Sequence, residues 1–157
     1  MEKKEIKILF VSRGNIRSVM AQYMLRAMVR SLNKEGDFMI DSASTSSEEV
    51  GSLIHDSARK VLEEQHIEIG NYVVRKMTWD DYDQFDYLIG MDDENLDDMK
   101  YICGADPDEK IRKLLEDRDI EDPWYSERYK EAFNDIQEGL GAFLNELITK
   151  DAVGGRI

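Results

Sequence analysis

The sequence is poor in several residue types, and each shortage excludes a class of protein. Its single cysteine, Cys103, cannot form an internal disulfide, and with two distant histidines it does not make a zinc site. No apolar run approaches the roughly 18 residues that suggest a membrane span. The charged N-terminus, Met1–Lys7, does not resemble a secretory signal. We therefore expect a cytoplasmic protein with no membrane partner, no structural metal and no redox relay.

Positive charge is also scarce. The chain has 21 Lys and Arg against 34 Asp and Glu, which gives a formal net charge of -13. Nucleic acid is not an expected partner, because a phosphate backbone is attracted by clustered basic residues. An anionic ligand would have to be held by a locally positive site against the field of the protein, so an arginine beside a glycine-containing turn is informative.

What is present is the composition of an ordinary folded domain. Hydrophobic residues make up 41% and charged residues 35% of the 157 positions, which is typical of a globular chain. The sequence contains no internal repeat, low-complexity tract or linker-like run. These features predict one domain over residues 1–157, with 152–157 as a frayed tail.

Apolar periodicity predicts alternating strands and helices. Nearly continuous apolar runs predict strands buried on both faces of a parallel sheet, and apolar residues three or four apart predict helices. This alternation predicts an α/β fold: a single doubly wound domain with a central four-stranded parallel sheet and helices on both faces. The predicted strands are Ile6–Val11, Phe38–Ala43, Tyr87–Met91 and Ile111–Leu115, and the predicted helices are Met20–Leu32, Ser57–Gln65, Asp93–Tyr101 and Tyr129–Leu147.

The loop Ser12–Ser18 (SRGNIRS) follows the first strand and precedes the first helix. Ligands of doubly wound folds bind at the carboxyl ends of the strands, where this loop is placed. Backbone N–H groups of such a turn, together with a helix N-terminus, make a phosphate cradle. Gly14 lets the backbone approach a ligand closely, and Asn15 either adopts a left-handed conformation or ties the loop through its side chain. Arg17 adds a planar guanidinium that matches two phosphoryl oxygens.

Several short motifs carry a resemblance to a known family. The loop Ser12–Ser18 is similar to the Cys-X-Gly-Asn-Ile-Cys-Arg-Ser loop of the low-molecular-weight protein tyrosine phosphatases. Other similar segments, in the same order along the chain, are Asp41–Ala43, Gly90–Asp92 with Asn95 and Leu96, and Asp122–Tyr125. The chain is identified on these motifs as a member of that family over most of its length.

The resemblance implies a phosphomonoester hydrolase that acts on phosphotyrosine-containing proteins or small aryl phosphates and binds inorganic phosphate or other oxyanions. In the family, a cysteine thiolate attacks phosphorus, an arginine and the loop amides hold the phosphoryl oxygens, and an aspartate protonates the leaving phenolate. No metal or organic cofactor is implied. Carried over, the catalytic candidates are Ser12 at the nucleophile position, Arg17 and Asp122; the phosphate-binding candidates are Arg13, Gly14, Asn15, Ile16, Arg17 and Ser18; and the substrate-pocket candidates are Glu48, Trp124 and Tyr125.

The loop departs from the family pattern in two ways. Ser12 replaces the nucleophilic cysteine, and a serine hydroxyl stays protonated near neutral pH unless a base removes its proton. Four residues separate Ser12 from Arg17 where the family has five, which shortens the reach of the loop by up to about 3.3 Å. Alignment on Gly14 and Asn15 places the gap between Ile16 and Arg17, whereas a gap before Ser12 would restore the arginine spacing and displace Gly14 and Asn15. Both departures predict an impaired nucleophilic step.

Other interpretations stay open. A pseudophosphatase would bind phosphorylated partners or oxyanions without turnover. Arsenate reduction, which related members perform, needs several cysteines and conflicts with the single Cys103. A flavin- or nucleotide-binding domain has the same general topology.

Simpler roles compete at single positions. Arg17 is alternatively a surface residue at the start of a helix. Asp122, which precedes a proline, is alternatively a turn residue. Asp92 is either a helix cap or an orienting partner. Ser18 either caps the first helix or donates into the cradle. We expect Cys103 to be a small buried hydrophobe, both histidines to lie at the surface or at helix ends, and the acidic residues between 80 and 98 to form a solvated face.

Overall fold

A four-stranded sheet forms the centre of the protein. The computed structural model describes residues 5–154, with the backbone alone for 151–154. The strand order is β2-β1-β3-β4, and each neighbouring pair is parallel, so the predicted four-stranded parallel sheet is confirmed. The strands are β1 Ile6–Ser12, β2 Phe38–Ser44, β3 Tyr87–Gly90 and β4 Ile111–Lys113.

Six α-helices are described in residues 5–154. The helices α3 and α5 were not predicted, because four residues are too few to show helical periodicity. The last helix extends beyond the predicted end at Leu147, so 152–154 of the predicted tail are helical, and 155–157 lie outside the described residues. No helix of the described part is long and apolar enough to span a membrane. The helices are α1 Arg17–Ser31, α2 Asp56–Glu64, α3 Asp81–Gln84, α4 Asp93–Cys103, α5 Pro123–Ser126 and α6 Tyr129–Gly154.

Each face of the sheet has its own apolar layer, because successive side chains of a strand point to opposite faces. Ile8 and Phe10 of β1 belong to the larger cluster, which includes residues of α1, α2 and α6. Leu9 and Val11 belong to the smaller cluster, to which α4 contributes Met99. All of these side chains are fully buried, which explains why β1 is a nearly continuous apolar run.

Gly139 of α6 lies close to Leu114 in the segment after β4. A Cβ atom at this position would lie 2.6 Å from Cγ of Leu114, so Gly139→Ala should lower the free energy of unfolding by about 1–3 kcal/mol. Gly141 lies in the same helix, and a Cβ there meets nothing within 4 Å. Gly141→Ala should therefore raise stability by up to about 1 kcal/mol through helix propensity. Urea unfolding of both variants checks this, and equal shifts would contradict it.

The parallel register brings the polar motifs to one edge of the sheet. Ser12 is paired with Ser44 of β2, and Val11 is paired with Gly90 of β3. The N–H of Thr45 donates to the carbonyl of Ser12 at 3.0 Å, which fixes the two strand ends together. The loops that follow these strand ends consequently share one edge, as expected for a doubly wound sheet.

Candidate functional site

A cavity of about 120 Å³ opens at this edge of the sheet. Three segments far apart in sequence form its wall: the loop after β1, the turn at 48–49, and the start of α5. All of the predicted site residues except Ser18 line it, together with Glu49, which was not predicted. The lining residues are Ser12, Arg13, Gly14, Asn15, Ile16, Arg17, Glu48, Glu49, Asp122, Trp124 and Tyr125.

Ser12 ends β1 and is 1% exposed. Its Oγ lies 2.7 Å from Oγ of Ser18 and accepts the backbone N–H of Ser18 at 3.2 Å. Within residues 5–154 the side chain of Ser12 has no carboxylate or imidazole partner. The hydroxyl therefore lacks a base, and its observed contacts are hydrogen bonds at the first turn of α1. Ser18, predicted as a cap or a cradle donor, lies behind Ser12 and not at the cavity.

The shortened loop places an unusual residue at the start of α1. The strand ends one residue later than predicted, so only 13–16 connect β1 to Arg17. Ile16 stands at the N-cap position with φ -114 and ψ -83, and it has no side-chain acceptor for the helix. Ser, Thr, Asp and Asn are the usual residues there. The hydroxyl of Ser12 accepts the N–H of Ser18 and so supplies an acceptor that Ile16 lacks.

The backbone of this loop is tied through its carbonyl groups. The carbonyl of Arg13 accepts from Oγ of Ser44 at 2.6 Å, and that of Asn15 accepts from the N–H of His55 at 3.2 Å. Nδ2 of Asn15 donates to the carbonyl of Leu53 at 2.8 Å, so Asn15 ties the loop through its side chain and not through a left-handed conformation.

The backbone N–H groups of this loop are available as donors. Those of Arg13 through Arg17 donate to no acceptor in the described part of the chain. They belong to five consecutive residues that line the cavity, next to the positive end of α1. Such a set of donors suits an oxyanion.

Arg17 is 3% exposed, so it is not a surface arginine. Its Nη1 donates to Oδ2 of Asp92 at 2.7 Å and to the carbonyl of Ile120 at 2.7 Å. Its Nη2 lies 3.6 Å from Oδ2 of Asp122, which is an ion-pair distance beyond hydrogen-bond length. Asp92 also accepts the N–H of Asn95 at 2.7 Å as the N-cap of α4. The predicted cap is therefore observed, and Asp92 also makes the contact with Arg17 that the predicted orienting partner would need.

Asp122 is the N-cap of α5 and belongs to the cavity wall. Its Oδ1 accepts the backbone N–H of Trp124 at 3.0 Å, while its Oδ2 faces Arg17. The turn role and the placement beside the cavity thus occur together. Trp124 and Tyr125 are 59% and 76% exposed, and they form an aromatic rim on this side of the opening.

Acidic side chains surround Arg13. The guanidinium of Arg13 is 3.3 Å from Glu94 and 3.8 Å from Glu48, and Glu49 lines the same cavity. These carboxylates balance the charge of Arg13, whose side chain is half exposed. Arg17 is therefore the cation that the fold buries at this site, whereas Arg13 is a solvated rim residue.

Other predicted residues behave in part as expected. His55 is the N-cap of α2, and its Nδ1 accepts the N–H of Ser57 at 3.2 Å. Cys103 is half-buried, and burial raises the pKa of its thiol. The expected solvated acidic face is wrong for Asp81, which is buried because its carboxylate pairs with both terminal nitrogens of Arg75 at 3.0 Å.

Comparison with known proteins agrees with this geometry. A family model described as low molecular weight phosphotyrosine protein phosphatase matches residues 7–153. The low molecular weight protein-tyrosine-phosphatase YfkJ of Bacillus subtilis is 32% identical over 146 residues, which covers 88% of this chain and 94% of that protein. The crystal structure of YfkJ has a TM-score of 0.91 at 27% identity and covers 96% of this chain and 99% of that one. A crystal structure of the Streptococcus pyogenes phosphatase has a TM-score of 0.85 at 30% identity, with 95% and 97% covered. The chain belongs to the low molecular weight phosphotyrosine protein phosphatase family.

Proposed function

We propose that this chain binds the phosphoryl group of aryl phosphate monoesters such as phosphotyrosine, and that its hydrolytic step is impaired at Ser12. One observation carries the proposal: one cavity adjoins a buried guanidinium and five consecutive backbone N–H groups that have no acceptor within residues 5–154. Arg17 provides the permanent charge, and the loop from Arg13 to Arg17 provides neutral donors. Together they offer more hydrogen bonds than an arginine alone, in a site where low solvent exposure strengthens electrostatic attraction.

The contacts of Arg17 leave donors for a ligand. Nη1 is occupied by Asp92 and Ile120, whereas the only contact of Nη2 with the described residues is the 3.6 Å one with Asp122. A phosphoryl oxygen could accept from Nη2 while other oxygens accept from loop N–H groups. The aryl part of the ligand would then lie toward Trp124 and Tyr125, whose rings give apolar contact area at the rim.

Two features support slow chemistry. The hydroxyl of Ser12 is hydrogen-bonded to Ser18 and meets no base among the residues that the structure describes, so little of it is ionised near neutral pH. The loop from 13 to 16 is also one residue shorter than the family pattern, and a misplacement of about 1 Å can reduce catalysis about a hundredfold. The same two features favour the alternative function, a pseudophosphatase that binds phosphorylated partners or oxyanions without turnover.

Binding and turnover measured on the same preparation test the proposal. We expect saturable phosphate and vanadate binding by calorimetry, and hydrolysis of p-nitrophenyl phosphate several orders of magnitude slower than that of the Bacillus subtilis relative. Turnover equal to that relative would contradict the impairment, and failure to bind either oxyanion would contradict both candidate functions.

Asp122→Asn separates the two candidates. If slow turnover is enzymatic, this variant should lose it, because the amide cannot protonate the leaving phenolate. Asp117→Asn is a matched control, since Asp117 is an exposed surface carboxylate paired with Arg118. Residual hydrolysis that is the same in the parent and in both variants would favour the pseudophosphatase.

A further inference from the structure

His55 contacts both halves of the site without lining the cavity. Its backbone N–H donates at 3.2 Å to the carbonyl of Asn15, which belongs to the loop Ser12–Ser18, called the phosphate loop below. Its ring meets the indole of Trp124 edge-on, with centroids 5.6 Å apart and an interplanar angle of 86°. The same ring stacks on Tyr129, with centroids 5.8 Å apart and an interplanar angle of 12°. One residue is thus joined to the loop by its main chain and to the aromatic rim by its side chain.

The contact with Trp124 links His55 to Asp122, the candidate acid. Trp124 follows Asp122 by two residues, and its backbone N–H donates to Oδ1 of Asp122 at 3.0 Å. The other oxygen of Asp122 faces Arg17 at 3.6 Å. A shift of the indole that moved the backbone of Trp124 would therefore change the position of the carboxylate relative to the loop that precedes α1.

We propose that His55 is a positioning residue whose imidazole holds Trp124, and with it the turn at Asp122, in place against the phosphate loop. Three contacts hold the ring: those with Trp124 and Tyr129, and the hydrogen bond that Nδ1 accepts from the backbone N–H of Ser57. The affinity measurements that test this proposal rest on the proposed function, because they require an aryl phosphoryl ligand in this cavity. The placement of Trp124 does not depend on a ligand.

Two substitutions separate the effect of the His55 ring contacts from the effect of capping α2. His55→Asn keeps a side-chain acceptor suited to the N-cap of α2 but removes the ring, whereas His55→Phe keeps a ring but removes the acceptor. Each loses one type of contact, so we expect both melting temperatures to fall by about 2–4 °C. Phenylphosphonate affinity should fall about tenfold in His55→Asn and stay within about twofold of the parent in His55→Phe. Inorganic phosphate, which lacks the aryl group, should bind both variants like the parent.

Tryptophan fluorescence provides the ligand-free measurement. The chain has 2 tryptophans, so Trp79→Phe leaves Trp124 as the only indole. In that background acrylamide quenching of Trp124 should increase in His55→Asn and stay unchanged in His55→Phe. His66→Asn is the control, because His66 is exposed and has φ 59, a conformation that asparagine tolerates.

The outcomes are distinct. A merely structural role would weaken phenylphosphonate binding equally in both variants, following their melting temperatures, and would overturn the proposal. Unchanged quenching in His55→Asn would overturn it as well. If the parent binds neither phosphate nor phenylphosphonate, the proposed function fails, and the quenching experiment still decides whether His55 holds Trp124.

Discussion

Ser12→Cys alone is expected to give little hydrolysis, whereas Ser12→Cys with one alanine inserted between Ile16 and Arg17 should be at least about a hundredfold faster. A thiol at this position would meet the two groups that now bond to the hydroxyl: the backbone N–H of Ser18, which donates to it, and Oγ of Ser18, which accepts from it. A thiolate needs no neighbouring base, and the N-terminus of α1 favours its negative charge. One substitution can thus restore the nucleophile, but restoring the length of the loop requires an inserted residue.

The geometry of the loop explains the expected difference. Residues 13–16 must connect the end of β1 to Arg17, which is fixed by Asp92 and Ile120. Arg17 cannot easily move toward a ligand, so the missing residue has to be accommodated by the loop amides. An inserted residue adds up to about 3.3 Å of reach, and it also relieves Ile16 of the N-cap position.

Four proteins complete the experiment: the parent, each single change, and the combination. The parameter kcat/KM for p-nitrophenyl phosphate should show strong coupling between the two changes. The insertion with Ser12 retained should strengthen phosphate binding without adding turnover. A Ser12→Cys variant as active as the Bacillus subtilis relative would show that loop length does not limit the reaction.

The sheet could be predicted from the sequence because its strands are buried on both faces. The runs that begin at Ile6 and Tyr87 are almost wholly apolar, and only a central parallel strand requires that pattern. The start of α1 could not be predicted in the same way. Ile16 is β-branched and apolar, which is not a capping signal, and it stands at the N-cap because the loop has too few residues to place another one there.

The cavity wall was predicted from motifs, but the partners of its residues were not. Arg17 bonds to residues 75 and 103 positions away, and Arg13 to one 81 positions away. Such pairs are set by the order of the strands in the sheet, which periodicity does not specify. His55 likewise gave only the weak signal of a residue before a helix, because its contacts with Trp124 and Tyr129 depend on where α5 and α6 pack.

Arg17→Met is expected to weaken phosphate binding by at least about a hundredfold. Arginine would give a bound phosphoryl group charge-assisted hydrogen bonds worth about 1.5–3 kcal/mol each, and every 1.4 kcal/mol corresponds to about a tenfold change in affinity. The substitution also deprives Asp92 and Asp122 of the guanidinium that both of them contact. Their like charges would oppose any anionic ligand and should reduce the free energy of unfolding by about 2 kcal/mol, less than for a fully buried pair.

Two further variants show whether the buried guanidinium of Arg17 is responsible for phosphate binding. Arg17→Lys keeps the charge but cannot reproduce the planar arrangement of donors, so its affinity for phosphate should lie between those of the parent and Arg17→Met. Arg30→Met removes an arginine from the same helix, but that residue forms an exposed ion pair with Glu68 at 2.9 Å. We expect it to change stability by less than about 1 kcal/mol and to leave binding unchanged. Calorimetric titration with phosphate checks all three, and Arg17→Met binding phosphate like Arg30→Met would mean that the oxyanion is not held at the start of α1.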